Sequence, residues 1–189
     1  EREDILRKKP NLVFLCSPNN PTGVIEPKET ISYLLDACSD IGSVLVVDEA
    51  YGEFADWSAT ELVTDDAPMV VSRTFSKAHG FAAGRLGYAI GAKRIIAGMK
   101  EVLLPYHLDA FKQLAGRTAL KYRSEMSQRV DDLKSQRDEV FIELSNLPVK
   151  TWQSGANFIL FKPKNSISLT GYQIWEMLVN DSILVRDCS

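Results

Sequence analysis

Cysteine is scarce in this chain. Its 189 residues include three, Cys16, Cys38 and Cys188, odd in number, widely spaced and without a C-x-x-C pair. That argues against a disulfide framework and a zinc ribbon, and it suits a reducing compartment. Histidine is scarcer still: His79 and His107 are the only two and have no partner at ligand spacing, so no metal site is expected. No apolar run approaches the roughly 20 residues of a membrane span. The opening Glu1-Arg2-Glu3-Asp4 is unlike a signal peptide, so a soluble, cytoplasmic chain is expected. Basic excess is also missing. The formal net charge is -3 and no dense Lys/Arg stripe occurs, which argues against nucleic acid or a membrane surface as the main partner. A small anionic ligand needs only local positive charge. The chain has no internal repeat, no low-complexity segment and no G-x-x-x-x-G-K-[ST] loop.

What is present is an ordinary globular composition, 45% hydrophobic, arranged in alternating patterns. Residues 1–9 read as helix, stopped by Pro10. Leu12 to Cys16 is a short apolar run, as expected of a strand buried on both faces of a parallel sheet, and it ends in Ser17-Pro18-Asn19-Asn20-Pro21-Thr22-Gly23. Pro27 suits a first helical position, and Ile31, Leu34, Leu35 and Cys38 follow at helical spacing. Ser43 to Val47 and Met69 to Ser72 read as buried strands, with Gly87 to Gly91 a fourth. From Lys93 the pattern is helical through Val102, then again over Asp109–Lys121 and Ser124–Asn146, the last long enough to join two domains. Val149 to Trp152 and Asn157 to Phe161 read as strands, Gly171 to Val179 as a helix and Ile183 to Val185 as a strand. The fold class expected is α/β with a mostly parallel sheet, followed by a small α+β unit.

The chemistry gathers around residues 70–88, where an apolar strand runs into Thr74, Ser76 and Lys77, with Arg85 beyond and glycines at 80, 84 and 87. A desolvated lysine is the nucleophile of a Schiff base, and Ser, Thr and Arg together bind phosphate with charge-assisted hydrogen bonds. Read alone, the same stretch also fits a strand with a solvated lysine on a glycine-rich loop. Two further polar clusters, Asn20 in its proline-flanked loop and Asp48 with Tyr51, also sit at carboxyl ends of strands. In a parallel sheet those ends share one edge, where ligands bind. Lysine, carboxylate, hydroxyls and arginine are the groups a pyridoxal phosphate site requires. Each has a plainer reading: Asn20 as a turn former, Tyr51 as core, and Val46-Val47-Asp48-Glu49 as a metal-binding strand end of a nucleotide hydrolase, which the missing phosphate loop disfavours.

With Asn20-Pro21-Thr22-Gly23, Asp48-Glu49-Ala50-Tyr51, Ser76-Lys77 and Arg85 in this order, the chain resembles the fold type I pyridoxal-phosphate aminotransferases. It is most similar to their histidinol-phosphate branch, which Leu104-Pro105-Tyr106-His107-Leu108 and Ser154-Gly155-Ala156-Asn157-Phe158-Ile159-Leu160 also resemble. The resemblance covers essentially the whole chain. It implies that residues 1–122 are part of the large cofactor-binding domain and residues 123–189 the linking helix and part of the small domain. It further implies that pyridoxal 5'-phosphate is held by Lys77 through a Schiff base, by Asp48 at the pyridine nitrogen, by Asn20 and Tyr51 at the phenolic oxygen, and by Thr74, Ser76 and Arg85 at the phosphate. Asn157 and Arg186 are implied as contacts to the substrate's polar end.

The reaction implied is amino transfer between L-histidinol phosphate and 2-oxoglutarate in histidine biosynthesis, by a cytoplasmic homodimer. An aromatic amino-acid aminotransferase shares all the cofactor residues, and a non-catalytic, ligand-binding module of the same fold is the alternative of another class. Family members are roughly twice this length, so the chain is expected to be part of the fold and inactive by itself. Ala82-Ala83-Gly84-Arg85 departs from the many relatives with a glycine two positions before the arginine, without moving Arg85 relative to Lys77.

Overall fold

The computed structural model describes residues 2–188; Glu1 of the expected first helix lies outside them. Helix α1 (Arg2–Lys8) leads into strand β1 (Leu12–Cys16), helix α2 (Lys28–Ile41) and strand β2 (Val44–Asp48). Two short 3-10 turns, Gly52–Phe54 and Ala59–Leu62, precede strand β3 (Met69–Thr74), and a third, Ala82–Gly84, precedes strand β4 (Gly87–Gly91). Helices α3 (Lys93–Glu101), α4 (Ala110–Ala119) and α5 (Arg123–Ser145) follow, then strands β5 (Val149–Thr151) and β6 (Phe161–Pro163) and helix α6 (Gly171–Asn180).

The four-stranded sheet has the order β1-β2-β3-β4. β1, β2 and β3 run parallel, with Cys16 opposite Asp48 and Asp48 opposite Ser72; β4 returns antiparallel to β3, with Thr74 opposite Gly87. α2 is the crossover between β1 and β2. It enters at Pro27 and ends at Gly42, whose φ of 72° lets its N–H reach the carbonyls of Cys38 and Ser39. One face of the sheet carries the core, where Leu45, Val47, Met69 and Val71 pack against Ile31, Leu34, Ala37 and Cys38. A second buried cluster joins Tyr51, Phe54 and Ala78 to Met126 and Val130 of α5 and to Ala156.

Three expectations are corrected. β1 is not covered on both faces: Leu12 is 52% and Phe14 71% exposed, because β1 is an edge strand and only the side bearing Val13 and Leu15 packs against the core. The strand expected over 157–161 is instead β6, Phe161–Pro163, paired antiparallel with β5. The residues before it are committed elsewhere: Gly155 N–H donates to Gly23 O at 2.7 Å, Ala156 is buried, and Phe158 packs edge-on to Tyr51 with centroids 5.0 Å apart. Residues 183–185 form no strand. Ile183 N–H turns back to Leu178 O, and Val185 O accepts from Trp175 Nε1, so the apolar triplet caps α6 rather than joining a sheet.

Candidate active site

Because β1, β2 and β3 are parallel, their carboxyl ends open onto one edge of the sheet, and the antiparallel β4 begins at that same edge. The Asn20 loop, Asp48 with Tyr51, Thr74 to Lys77 and Arg85 therefore meet there. Side chains alternate across a strand. On β2 and β3 this puts Asp48, Ser72 and Thr74 on the face away from the helical core, and it sends Glu49 and Arg73 to the core side.

Several of the expected residues are in direct contact. Asn20 Nδ2 donates to Tyr51 Oη at 3.1 Å, and Lys77 Nζ stands 5.0 Å from the Tyr51 ring centroid. Tyr51 is buried, wedged by Phe158. Asp48 Oδ1 accepts from Ala50 N–H at 3.0 Å and from Ser72 Oγ at 3.3 Å, which fixes the carboxylate at the strand end. Thr74 Oγ1 accepts from Ser76 N–H at 3.1 Å, shaping the turn before Lys77. Phe75 N–H donates to Leu86 O at 3.0 Å and so ties that turn to the segment bearing Arg85, which has a φ of 49°. Asn157 is exposed beside Phe158, and it is Phe158 that packs on Tyr51. Arg186 lies in the exposed segment after α6, and no contact among the described residues links it to the cluster.

A desolvated Lys77 is not what the structure contains: Lys77 is exposed, as are Asn20, Asp48 and Arg85. Its neighbours Phe75 and Ala78 are buried and hold the loop, while the lysine itself projects from the sheet edge. Two of the loop's glycines serve packing rather than ligand approach. A Cβ on Gly84 would meet the Phe81 ring and one on Gly87 the Arg73 carbonyl at 2.7 Å.

The arrangement fits pyridoxal 5'-phosphate. An exposed primary amine, an anchored carboxylate, an Asn–Tyr hydrogen-bonded pair and a Thr/Ser/Arg hairpin lie at one edge of the sheet, and such a set has the chemistry to partner an aldehyde, a pyridine nitrogen, a phenolic oxygen and a phosphate.

Sequence reasoning missed the other side of the same strands. Arg73 lies between two carboxylates: Nη2 is 2.6 Å and Nε 2.8 Å from Glu49 Oε2, Nη1 is 2.8 Å from Glu53 Oε1, and Nη2 donates to Ser58 Oγ at 2.9 Å. Side-chain exposures are 11% for Arg73, 4% for Glu49 and 9% for Glu53. Burial alone would lower the Arg73 pKa, but the attraction of Glu49 and Glu53 outweighs it and the net shift is upward. The signal available was alternation: an arginine on the core side of an otherwise apolar strand, and a glutamate directly after Asp48. Nearby, burial raises the Cys16 thiol pKa, with Asp48 adding to the effect and a hydrogen bond from the Asn20 backbone opposing it.

The aminotransferase class I and II family matches residues 2–189. A histidinol-phosphate aminotransferase of Mycobacterium sp. (strain JLS) is 41% identical over 186 residues, covering 97% of this chain and 48% of that protein. Among solved structures, histidinol-phosphate aminotransferase from Sinorhizobium meliloti in complex with pyridoxal-5'-phosphate matches with a TM-score of 0.85 at 24% identity, over 97% of this chain and 50% of the other. The enzyme of the same name from Clostridium acetobutylicum matches with a TM-score of 0.83 at 24% identity, over 100% of this chain and 58% of the other. The fold is therefore that of these aminotransferases, and the chain spans about half the length of the curated relatives it matches.

Proposed function

The chain belongs to the class I and II aminotransferases, and from that membership we propose that it carries the cofactor-anchoring part of a pyridoxal-phosphate-dependent histidinol-phosphate aminotransferase. The observation that carries this is the meeting of Lys77, Asp48 and the Asn20–Tyr51 pair at one sheet edge. Identity of about two in five residues to proteins of that name supports the substrate assignment, L-histidinol phosphate with 2-oxoglutarate as acceptor.

Pyridoxal 5'-phosphate held here would supply an aldehyde for amines and a ring that acts as an electron sink. Lys77 Nζ would hold the aldehyde and, freed from it, would act as the base that carries the proton from the substrate carbon to the cofactor carbon. The Asp48 carboxylate holds a proton at the pyridine nitrogen, since an ion pair favours the charged form. Asn20 Nδ2 and Tyr51 Oη hydrogen-bond the phenolic oxygen. Thr74, Ser76 and Arg85 grip the phosphate, with the guanidinium able to bind it bidentately. Asn157 and Arg186 contact the polar end of the substrate. In the same reading residues 1–122 belong to the cofactor-binding domain, and residues 123–189 are the linking helix and part of the smaller one. The enzyme works in the cytoplasm as a homodimer.

The test uses the full-length protein. It is expected to gain a visible absorption band on addition of pyridoxal 5'-phosphate, to lose that band in Lys77→Ala, and to turn over histidinol phosphate well ahead of phenylalanine. A wide preference for phenylalanine would reassign it to the aromatic aminotransferases, and a protein that never gains the band would make it a non-catalytic member of the fold.

A further inference from the structure

We propose that Arg73 is the positioning residue of this site: by clamping Glu49 and Glu53 on the core side of the sheet, it fixes the spacing between the strand end that carries Asp48 and Tyr51 and the one that carries Lys77. This rests on the functional reading above, since it concerns how the proposed cofactor residues are held.

Arg73 is followed by Thr74 and the turn into Lys77, while Glu49 directly follows Asp48. The guanidinium thus joins the neighbours of both chemical groups across the β2–β3 boundary, where the backbone ladder stops after Glu49 N–H donates to Ser72 O at 3.0 Å. Past that point the Arg73–Glu49 pair continues the connection with side chains.

The clamp also reaches Tyr51. A Cβ on Gly52 would stand 2.8 Å from Arg73 Cζ and 2.9 Å from Glu49 Cβ, so the turn after Tyr51 lies directly on the guanidinium and is shaped to it. Glu53, one residue further on, takes Nη1. The far side is closed as well. Glu49 Oε1 accepts from Ala59 N–H at 2.6 Å, and Ser58 Oγ donates to Glu49 Oε2 at 2.8 Å, which ties the 3-10 turn Ala59–Leu62 into the same unit.

One planar cation therefore serves acceptors from three chain segments. A lysine in its place would keep the charge, but a single ammonium cannot span the same three directions with a fixed fork. The pair is more than a stability device. An isolated buried ion pair contributes little net stability, whereas the two carboxylates held here, Glu49 and Glu53, flank Asp48 and Tyr51 in the chain. The balance is two carboxylates against one guanidinium, and Glu53 Oε2 is buried without a hydrogen-bond partner. Arg73 is thus the group that permits both acids to lie next to the site.

The experiment compares full-length wild type with Arg73→Lys, Glu49→Gln and a control, Leu34→Ala, which weakens the distant α2 core. Melting temperature, the dissociation constant for pyridoxal 5'-phosphate and the pH midpoint of the visible band are read for each. Arg73→Lys is expected to weaken cofactor binding about tenfold and to displace the pH midpoint, and Glu49→Gln to move both in the same direction by less. Leu34→Ala is expected to lower the melting temperature while leaving both cofactor readouts at their wild-type values. Unchanged affinity and midpoint in Arg73→Lys would overturn the assignment. If that variant does not fold, unchanged values in Glu49→Gln would do the same, as would changes matched by Leu34→Ala. Should wild type itself take up no cofactor, the functional reading falls and the positioning role falls with it. A normal wild-type band with an indifferent Arg73→Lys removes the positioning role alone.

Discussion

Gly23 closes the Asn20 loop with a φ of 74°, and a Cβ there would lie 2.2 Å from Ser154 Oγ and 2.9 Å from Ser154 Cα. Gly23→Ala therefore combines backbone strain with a clash against a buried segment, and is expected to cost about 2–4 kcal/mol in urea unfolding. His79 makes a prediction of opposite character. Burial lowers its pKa, with Arg129 assisting and Glu53 opposing. The unfolded chain then binds a proton more readily than the folded one. Its contribution to stability is complete above the unfolded value of about 6.5 and is lost as pH falls through that value toward the folded one. His79→Gln is expected to flatten the decline in unfolding free energy between about pH 7.5 and pH 5. At this scale the sequence was most informative where residue type implies chemistry: Lys77, Asp48, Asn20 and Tyr51 could be singled out from their positions after apolar runs. Exposure could not be read the same way. Whether Lys77 is desolvated depends on which surfaces pack above it, and no local pattern encodes that.

Among the elements, α2 shows how a boundary can be written in sequence. It lies between Pro27 and Gly42, with its apolar stripe at Ile31, Leu34 and Cys38. Nothing lies within 4 Å of a Cβ built on Gly42, so Gly42→Ala meets only the left-handed backbone cost. About 1 kcal/mol is expected, measured by thermal or urea unfolding, which separates it from the steric penalty at Gly23. Strands were legible when their partners were long apolar strands, as for β1, β2 and β3. The run 157–161 and the triplet 183–185 have strand-like composition too, but a strand requires a neighbouring backbone. In the first case Ser154 to Phe158 is occupied by the Asn20 loop and Tyr51, and in the second Ile183 and Val185 close onto α6. The Glu49–Arg73–Glu53 cluster is not legible in the sequence because its members are separated by up to 24 positions and meet only once β2 and β3 are in register.

For the whole molecule, Lys77, Asp48, Asn20 and Arg85, four of the residues proposed to hold the cofactor, are all open to solvent. Val102, Leu104, Tyr106, Phe111 and Leu114, all in the stretch from α3 into α4, are each more than half exposed. The 189-residue chain taken by itself is therefore expected to bind a hydrophobic dye and to show no transamination, since such chemistry needs water kept out. Measurable turnover by this chain alone would contradict that. The reversed direction of β4 has a kinetic consequence. Lys77 and Arg85 belong to one hairpin, closed by Phe75 N–H on Leu86 O across 11 positions, whereas Asp48 reaches them only through the much longer β2–β3 connection. Loops of that length close in tens of nanoseconds. The Lys77 amine and the Arg85 guanidinium are thus expected to find each other early in folding, as a preassembled half-clasp, with the Asp48 carboxylate arriving later.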